Sequence, residues 1–387
     1  MRYNRVMYIY LLGREAELCL AELESKNIET KMLLPNIVMS PKLVDIKNLG
    51  GTIKIGEIIS DDISNAADLQ TEILNYCKNL NLDTKFSYGI SSYGSSKINV
   101  NQFGIKLKKK LKEIGIKPRY VAANEGSSLN AASIKHNKLT TSNGREFIVV
   151  NTQNSIKLAV CLSFQDVDSY SKRDYEKPCR DRKVGMLPPK LSQIMINLAQ
   201  IPENAKVVDP FCGSGGLLME ASLMGYSSIG SDISKDMIDC SKKNTAWLKQ
   251  NFDNCKPIEI LPPTDATNIN FPSSDYSIVT EGFLGTNFLS KPTLQLINEQ
   301  KPQLRDLYLK FFENINLQDN MPQSICISLP FWVLNEKVIE LNLIDEIADL
   351  GYTISEFKSV RRSTLSYHRE GQFTGRQIVV FKPNKEK

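Results

Sequence analysis

The chain contains little histidine and no closely spaced cysteine pair. Its 387 residues include two histidines, His136 and His368, and eight cysteines that stand singly. Zinc sites are recognised in sequences by closely spaced cysteine and histidine ligands, and a disulfide scaffold needs a higher cysteine density. We therefore predict no metal site and expect the thiols to be reduced.

Long apolar runs are also missing. The apolar run at residues 6–13 is followed at once by Arg14, Glu15 and Glu17. It is too short for the core of a secretory signal peptide, and a membrane-spanning helix needs about 20 apolar residues. We expect a soluble, cytoplasmic protein without a membrane partner.

Composition and charge exclude little else. Hydrophobic residues make up 41% and charged residues 24% of the chain, which is close to the average for soluble globular proteins. The length is sufficient for two or three domains. Because the net charge of +5 is mild, the distribution of basic residues indicates more about nucleic-acid binding than their total does.

The N-terminal half predicts two small α/β domains. Residues 1–60 follow the order β-α-β-β-α-β, with the second helix at residues 41–49, which suggests a ferredoxin-like domain. Residues 61–165 predict a second α/β domain. Residues 166–190 are polar and basic without apolar periodicity, so we predict a linker that lies on a surface.

Residues 191–387 alternate short β-rich runs with helical stretches, among them helices predicted at 302–314 and 336–351. Seven strands are predicted, and no helix-sized gap separates the last two. This order is typical of a doubly wound parallel sheet that is closed by an antiparallel hairpin.

An acidic residue followed by a glycine turn is the sharpest motif. Asp209 ends a predicted strand, and Gly213, Gly215 and Gly216 precede a helix. A dinucleotide site needs a third glycine where Leu218 stands, and Asp209 would repel a pyrophosphate. The motif therefore favours a ligand that is cationic at this end. S-adenosylmethionine fits, because its sulfonium and amino groups are positive and it has no phosphate.

Each acidic residue has a predicted role toward that ligand. Asp209 would hold the amino-acid end, and Asp232, at the end of the next strand, would accept from the ribose hydroxyls. Asp265 would accept from the adenine amino group. Plain strand-end caps, and for Asp265 a turn residue, are the alternatives. The predicted cofactor-binding residues are Asp209, Pro210, Phe211, Gly213, Gly215, Asp232, Asp265 and Ala266.

Residues 209–216, followed by Glu220 and Ala221, resemble the cofactor motif of class I RNA methyltransferases that modify guanine N2, the archaeal and eukaryotic tRNA guanosine-10 enzymes. Residues 180–191 look like the connector that leads into their catalytic domain. The resemblance implies an α/β protein in which ferredoxin-like and THUMP-like RNA-binding domains precede a Rossmann-like, seven-stranded class I methyltransferase domain.

The acceptor motif departs from that family. There the fourth strand ends in Asp-Pro-Pro-Tyr or a close variant, whereas this chain has Thr280, Glu281, Gly282 and Phe283. An exocyclic amine is a poor nucleophile, so an acceptor and a ring must hold it within about 3–3.5 Å of the methyl group. We predict that Glu281 receives the amine and Phe283 stacks on the base, while Thr280 stands where the acid is expected. A loop that has lost this chemistry and a different methyl acceptor remain alternatives.

Three basic groups are predicted to bind RNA through its phosphates and unpaired bases. The alternatives are an ordinary solvated helix face and a surface loop. The predicted residues are Lys106, Lys109 and Lys110 in a helix, Arg173, Arg180 and Arg182 in the linker, and Arg361, Arg362 and Arg369 near the C-terminus.

These observations predict methyl transfer from S-adenosylmethionine to an exocyclic amine of RNA, with guanine N2 in tRNA as the first choice of target. The target base would leave its stack to enter the cleft. A methyltransferase acting on DNA or another RNA position, and a non-catalytic RNA-binding protein that retains the cofactor, are the alternatives. A need for a small activator subunit stays open.

Overall fold

The structure, a computed structural model, describes residues 6–82, 84–95, 98–180, 186–288 and 290–384. The chain forms two compact units. The first comprises residues 1–16, 28–47 and 52–168, and the second comprises residues 17–27, 48–51 and 169–387. Within the described ranges, none of the helices combines the length and the apolar character that crossing a membrane requires.

The first unit is built on one sheet of eight strands, in the order β2-β3-β1-β4-β8-β7-β5-β6. The strands are β1 (Tyr8–Leu12), β2 (Lys31–Leu34), β3 (Ile37–Ser40), β4 (Thr52–Ile63), β5 (Phe86–Tyr93), β6 (Pro118–Val121), β7 (Gly144–Asn151) and β8 (Ile156–Phe164). The first four helices of the chain are α1 (Ala16–Ser25), α2 (Ala66–Lys78), α3 (Val100–Glu113) and α4 (Ala131–His136).

One sheet runs through both segments that the sequence predicts as separate domains. The predicted boundary between residues 60 and 61 falls inside β4, which pairs with β1 on one side and β8 on the other. Strand β4 uses both of its edges, because residues 52–57 pair with β1 and residues 54–63 pair with β8. The assignment of these segments to ferredoxin-like and THUMP-like domains stays a prediction.

The helix predicted at residues 41–49 is wrong. The structure has only a short 3₁₀ turn, Ile46–Asn48. The Asp45 carboxylate accepts the backbone N–H of Lys47 at 3.0 Å. Such a local side-chain bond competes with the backbone bonds of an α-helix.

Helix α3 presents a basic face to solvent and an apolar face to the sheet. Phe103, Leu107 and Leu111 are buried, at the spacing expected of one helix face. Asn99 caps the helix by accepting the backbone N–H of Gln102 at 3.0 Å. The helix predicted to carry Lys106, Lys109 and Lys110 is therefore confirmed.

The second unit contains a nine-stranded sheet whose main path runs β11-β10-β9-β12-β13-β17-β15, with β14 on β13 and β16 on β17. Its strands are β9 (Lys206–Asp209), β10 (Ser228–Gly230), β11 (Ile258–Ile260), β12 (Tyr276–Thr280), β13 (Ile325–Leu334), β14 (Lys337–Glu340), β15 (Tyr352–Ile354), β16 (Ser366–Tyr367) and β17 (Thr374–Pro383). The remaining helices of the chain are α5 (Val167–Ser171), α6 (Pro189–Leu198), α7 (Gly216–Leu223), α8 (Lys235–Asn251), α9 (Leu294–Asn316) and α10 (Ile344–Asp349).

Strands β11 to β13 of this path are parallel, whereas β17 is antiparallel to β13 and β15. This arrangement confirms the predicted sheet of seven strands with an antiparallel closure. Strand β9 lies between β10 and β12. From β9 the chain continues to β10 and β11 on one side, and it then crosses to β12 on the other side, so the strand order reverses at β9. In open α/β sheets, ligands bind at the carboxyl ends of the strands at such a point.

Alternate residues of the central strands pack into two separate hydrophobic cores, one on each face of the sheet. Val208 and Ile278 pack with α9 on one face, and Val207 and Val279 pack with α6 and α7 on the other. Because successive side chains of a strand point to opposite faces, both faces are apolar. This arrangement keeps β9 and β12 rigid where they end.

Helix α1 belongs to the second unit because Glu22 connects it there. The buried carboxylate of Glu22 accepts the backbone N–H groups of Gly50 and Gly51 and the side-chain amide of Asn197, each at 2.8 Å. Burial raises the pKa of Glu22 to about 7, and these hydrogen bonds oppose the rise.

Two predicted helices of the second unit differ from the structure. The segment predicted as a helix at 336–351 holds β14 and then α10. Asn335 and Glu336 both have positive φ, 50° and 64°, which closes a tight hairpin between β13 and β14. Helix α9 begins at Leu294, before the predicted start, and contains Pro302 in its interior.

The predicted linker at 166–190 is folded against the second unit over its described part. A π-helical turn, Lys172–Glu176, buries Arg173, whose Nε lies 2.6 Å from Oε1 of Glu220. Sequence periodicity does not show this, because a single buried ion pair has no period.

A disulfide joins Cys179 to Cys240, with Cα atoms 5.3 Å apart. The expectation of reduced thiols is wrong at this pair. The side chain of Asn244 also bonds to the backbone N–H and carbonyl of Cys179, both at 2.9 Å. The two cysteines are 61 residues apart in sequence, so only the fold brings them together.

Candidate active site

A cleft with a volume of about 100 Å³ lies at the carboxyl ends of β9 and β12. Four residues predicted to act in catalysis or cofactor binding line it, namely Asp209, Phe211, Gly213 and Glu281. We call this space the main cleft.

Asp209 is the buried acid of the main cleft. Its Oδ1 accepts the backbone N–H of Phe211 at 3.1 Å. Burial raises the pKa of Asp209 to about 7, with a hydrogen bond from Thr280 acting in the opposite direction and the charges of Asp232 and Glu281 adding to the rise. Thr280 is fully buried and therefore supports Asp209 rather than meeting a substrate.

The two predicted glycines have different reasons to be glycine. Gly213 has a φ of +50°, and a Cβ there would meet no atom within 4 Å, so its open side leaves room for a ligand. Gly215 has a φ of +81°, and its Cβ would lie 2.4 Å from Oγ of Ser241 on α8. Gly215 thus permits close packing of the turn against α8.

Asp232 and Asp265 do not line the main cleft. Asp232 accepts the backbone N–H groups of Gly213 and Ser234, both at 2.9 Å, and so holds the glycine turn. Asp265 accepts from the backbone N–H and the hydroxyl of Thr267 at 2.9 and 2.8 Å. Asp265 thereby caps the 3₁₀ turn Ala266–Asn268, in which Ala266 is buried. Their predicted contacts to ribose and adenine stay predictions.

Glu281 forms an ion pair across the sheet. Its Oε1 lies 2.5 Å from Nε of Arg376 on β17, and the two side chains are 21% and 5% exposed. Burial raises the pKa of Glu281, and the charge and hydrogen bond of Arg376 lower it. The carboxylate predicted to receive the amine is therefore held by a residue that is distant in sequence.

Phe283 is held by its backbone and not by its ring. The Tyr308 hydroxyl donates to the Phe283 carbonyl at 2.9 Å, and Gly282 has a φ of +69°, with no space for a Cβ beside Tyr308. Phe283 itself is 52% exposed. The ring is accessible for the predicted stacking.

A second cleft adjoins this loop and is lined by Leu284 to Asn287 together with Gln372, Thr374 and Arg376. Glu281 lines the main cleft and Arg376 lines the second one. The ion pair between them therefore stands at the boundary of the two clefts.

Sequence reasoning missed Lys177 and Arg376. Lys177 lines the main cleft, although it lies in the segment predicted as a surface linker. Arg376 is a buried charged residue within β17, and a charged residue in an otherwise apolar strand is the signal that could have found it.

The predicted RNA-binding residues have different surroundings. Lys106, Lys109 and Lys110 are exposed on α3, and Arg361 and Arg362 are exposed after β15. Arg180 and Arg369 are half-buried, and Nε of Arg369 donates to the Tyr367 hydroxyl at 3.1 Å. Arg182 lies outside the described residues. The buried pair with Glu220 contradicts an RNA contact for Arg173.

Residues 178–258 match the RMKL-like methyltransferase domain family. The tRNA (guanine(10)-N2)-dimethyltransferase of Methanothermobacter thermautotrophicus is 28% identical over 156 residues, which cover 40% of this chain and 42% of that protein. The enzyme of the same name from Pyrococcus abyssi is 43% identical over 104 residues, 26% of this chain and 29% of that protein. The chain thus spans less than half the length of these relatives.

A similar fold is found in a solved structure. TrmN from Thermus thermophilus aligns with 97% of this chain and 99% of its own, with a TM-score of 0.54 and 15% identity. This likeness confirms the predicted fold class. It does not test the roles predicted for single residues.

Proposed function

We propose that this protein transfers a methyl group from S-adenosylmethionine to the exocyclic N2 amine of a guanine in tRNA. One observation carries the proposal. Asp209, the predicted cofactor acid, and Glu281, the predicted amine acceptor, line the same cleft. The relatives from Methanothermobacter thermautotrophicus and Pyrococcus abyssi bear the name tRNA (guanine(10)-N2)-dimethyltransferase, which supports this choice of substrate.

The residues of the main cleft fit S-adenosylmethionine. Asp209 supplies an anion for its amino group, and the open side of Gly213 leaves space for the methionine chain. Phe211, Met186 and Leu217 supply apolar walls. When bound, this cofactor supplies an electrophilic methyl group on a positively charged sulfur.

Glu281 and Phe283 would position the base. Arg376 pairs with Oε1 of Glu281, so we assign the amine N–H to Oε2. This hydrogen bond orients the nitrogen lone pair, and Oε2 can take the proton that the amine loses after methylation. The exposed ring of Phe283 stacks on the unstacked base.

The first unit would bind the tRNA body. Lys106, Lys109 and Lys110 lie exposed on one helix, and clustered lysines bind phosphates independently of sequence. This contact raises affinity and leaves the choice of base to the clefts of the second unit.

One observation favours the non-catalytic alternative. Arg376 neutralises Glu281 and occupies one of its oxygens, which weakens the carboxylate as an amine acceptor. A protein that binds tRNA and the cofactor without product formation would show that this pair has replaced the catalytic arrangement.

Mass spectrometry of nucleosides from tRNA incubated with protein and S-adenosylmethionine tests the proposal. We expect N2-methylated guanosine with the wild type. Glu281→Gln keeps the size of the side chain but loses its charge, and it should lower the rate about 100-fold, as for the loss of one positioned polar group. The affinity for S-adenosylhomocysteine should not change.

Glu356→Gln, at an exposed glutamate outside both clefts, is the matched control and should keep full activity. An unchanged rate in Glu281→Gln would exclude the proposed role of Glu281. Tight tRNA binding with no methylated product in the wild type would favour the non-catalytic alternative.

A further inference from the structure

Lys177 is a buried cation in the main cleft. It is 4% exposed and lines this cleft together with Asp209. Its Nζ lies 3.8 Å from the place where a Cβ on Gly216 would stand. Gly216 is the first residue of α7, so the ammonium group lies at the N-terminus of that helix.

No partner for this cation is found within the described residues. Neither an ion pair within 4.0 Å nor a hydrogen bond involves Nζ of Lys177 there. The nearby Glu220 is already bonded to Arg173 and Gln193, at 2.6 and 2.9 Å. Burial lowers the pKa of Lys177, and Asp174 and Glu220 counteract this only through their charges.

An unpaired buried ammonium group is costly unless an anion joins it. The helix N-terminus beside it also favours an anion. Asp209, the acid of the same cleft, suits a positively charged group of a ligand. The main cleft therefore offers one anionic and one cationic side chain, which is the arrangement that an amino-acid zwitterion needs.

We propose that Lys177 binds the carboxylate of the methionine part of S-adenosylmethionine, while Asp209 binds its amino group. The inference rests on the proposed function. It assigns the carboxylate of the cofactor to a residue outside the glycine motif. It also gives a role to the predicted linker before α6, which carries Lys177 and contacts α7 through Arg173 and α8 through Cys179.

Calorimetry with two ligands tests this assignment. Decarboxylated S-adenosylmethionine keeps the amino and sulfonium groups and lacks only the carboxylate. The wild type should bind S-adenosylmethionine about 10- to 100-fold more tightly than the decarboxylated form, as for a hydrogen bond between charged groups. Lys177→Met should lose this preference, with the affinity for the decarboxylated form unchanged.

Two variants complete the design. Lys177→Arg keeps the charge and should retain part of the preference. Lys235→Met, at an exposed lysine that starts α8, should behave like the wild type. Binding of the decarboxylated form by Lys177→Met also shows that this variant is folded.

The outcomes separate the two proposals. Failure of the wild type to bind either ligand would overturn the proposed function. A wild type that binds both, with the same preference in Lys177→Met, would overturn the role of Lys177 alone. If Lys177→Met instead weakens tRNA binding and leaves the cofactor preference intact, the cation serves an RNA phosphate and the inference is wrong.

Discussion

Two loops at neighbouring strand ends are held in different ways. The loop after β9 is held mostly by nearby groups, because Asp209 accepts from Phe211, and Asp232 on the adjacent strand end accepts from Gly213. The loop after β12 depends on distant side chains. Arg376 lies 95 residues from Glu281, and Tyr308 lies 25 residues from Phe283.

This difference explains why one loop matches the family and the other departs from it. A loop held by its own residues must keep them, whereas a loop held by distant side chains can change its residues as its partners change. Thr280 stands where the guanine-N2 methyltransferases have an acid, and its hydroxyl instead accepts the backbone N–H of Gly282 at 3.2 Å. The carboxylate of Glu281 one position later has its own partner in Arg376.

The largest expected effect concerns the acceptor loop. Arg376→Met leaves Glu281 as an unpaired, largely buried carboxylate, and removing one member of a buried ion pair costs about 3 kcal/mol or more. Chemical denaturation should therefore show a lower free energy of unfolding. The affinity for S-adenosylhomocysteine should stay within about two-fold of the wild type. The loop after β9 is held by its own nearby groups, so the substitution at Arg376 should not affect it.

The double variant Arg376→Met/Glu281→Leu is the control. It removes both charges and should recover most of the lost stability. If Arg376→Met weakens cofactor binding as strongly as it lowers stability, the two loops are coupled and the comparison fails.

The second effect concerns the cofactor loop. Gly215→Ala introduces a Cβ that would lie 2.4 Å from Ser241, at a φ of +81°. We expect a loss of about 2–3 kcal/mol in the free energy of unfolding, from backbone strain and the clash. Denaturant midpoints at an unchanged slope measure it.

Gly225→Ala is a matched control, because Gly225 has a φ of +95° and a Cβ there would meet no atom within 4 Å. Strain alone should cost about 1 kcal/mol. Equal losses in the two variants would show that packing against α8 does not constrain the cofactor loop.

The smallest effect is a pH dependence of cofactor binding. Burial raises the pKa of Asp209 to about 7, so its carboxyl group becomes protonated as the pH falls below that value. The affinity for S-adenosylmethionine should then fall, approaching tenfold per pH unit between about pH 6 and pH 5. Calorimetry across this range measures the slope.

Asp209→Asn should bind more weakly and remove the slope. Glu281→Gln should keep the slope but move it to lower pH, because the charge of Glu281 adds to the rise in the pKa of Asp209. A slope that persists in Asp209→Asn would point to another group, such as the buried Glu22, whose pKa also lies at about 7.

Much of the second unit was predictable because its strands are short apolar runs between helices with clear periodicity. Strands β9 and β12 were predicted with their observed ends. The helix predicted at 336–351 was wrong because two consecutive residues with positive φ, Asn335 and Glu336, turn the chain into a hairpin. Asn335 is a common turn residue, but Glu336 stands at the position where such hairpin turns usually have glycine.

The sequence by itself determined the cofactor loop, because an acid, a turn of glycines and a helix start are local features whose physical meaning does not depend on distant residues. Only the tertiary structure decided what surrounds that loop. It placed Lys177 from the predicted linker in the main cleft and Arg376 from the last strand beside Glu281. The physical reason is that charges pair across space, and the partner of a buried charge can come from any part of the chain that the fold brings within hydrogen-bond distance.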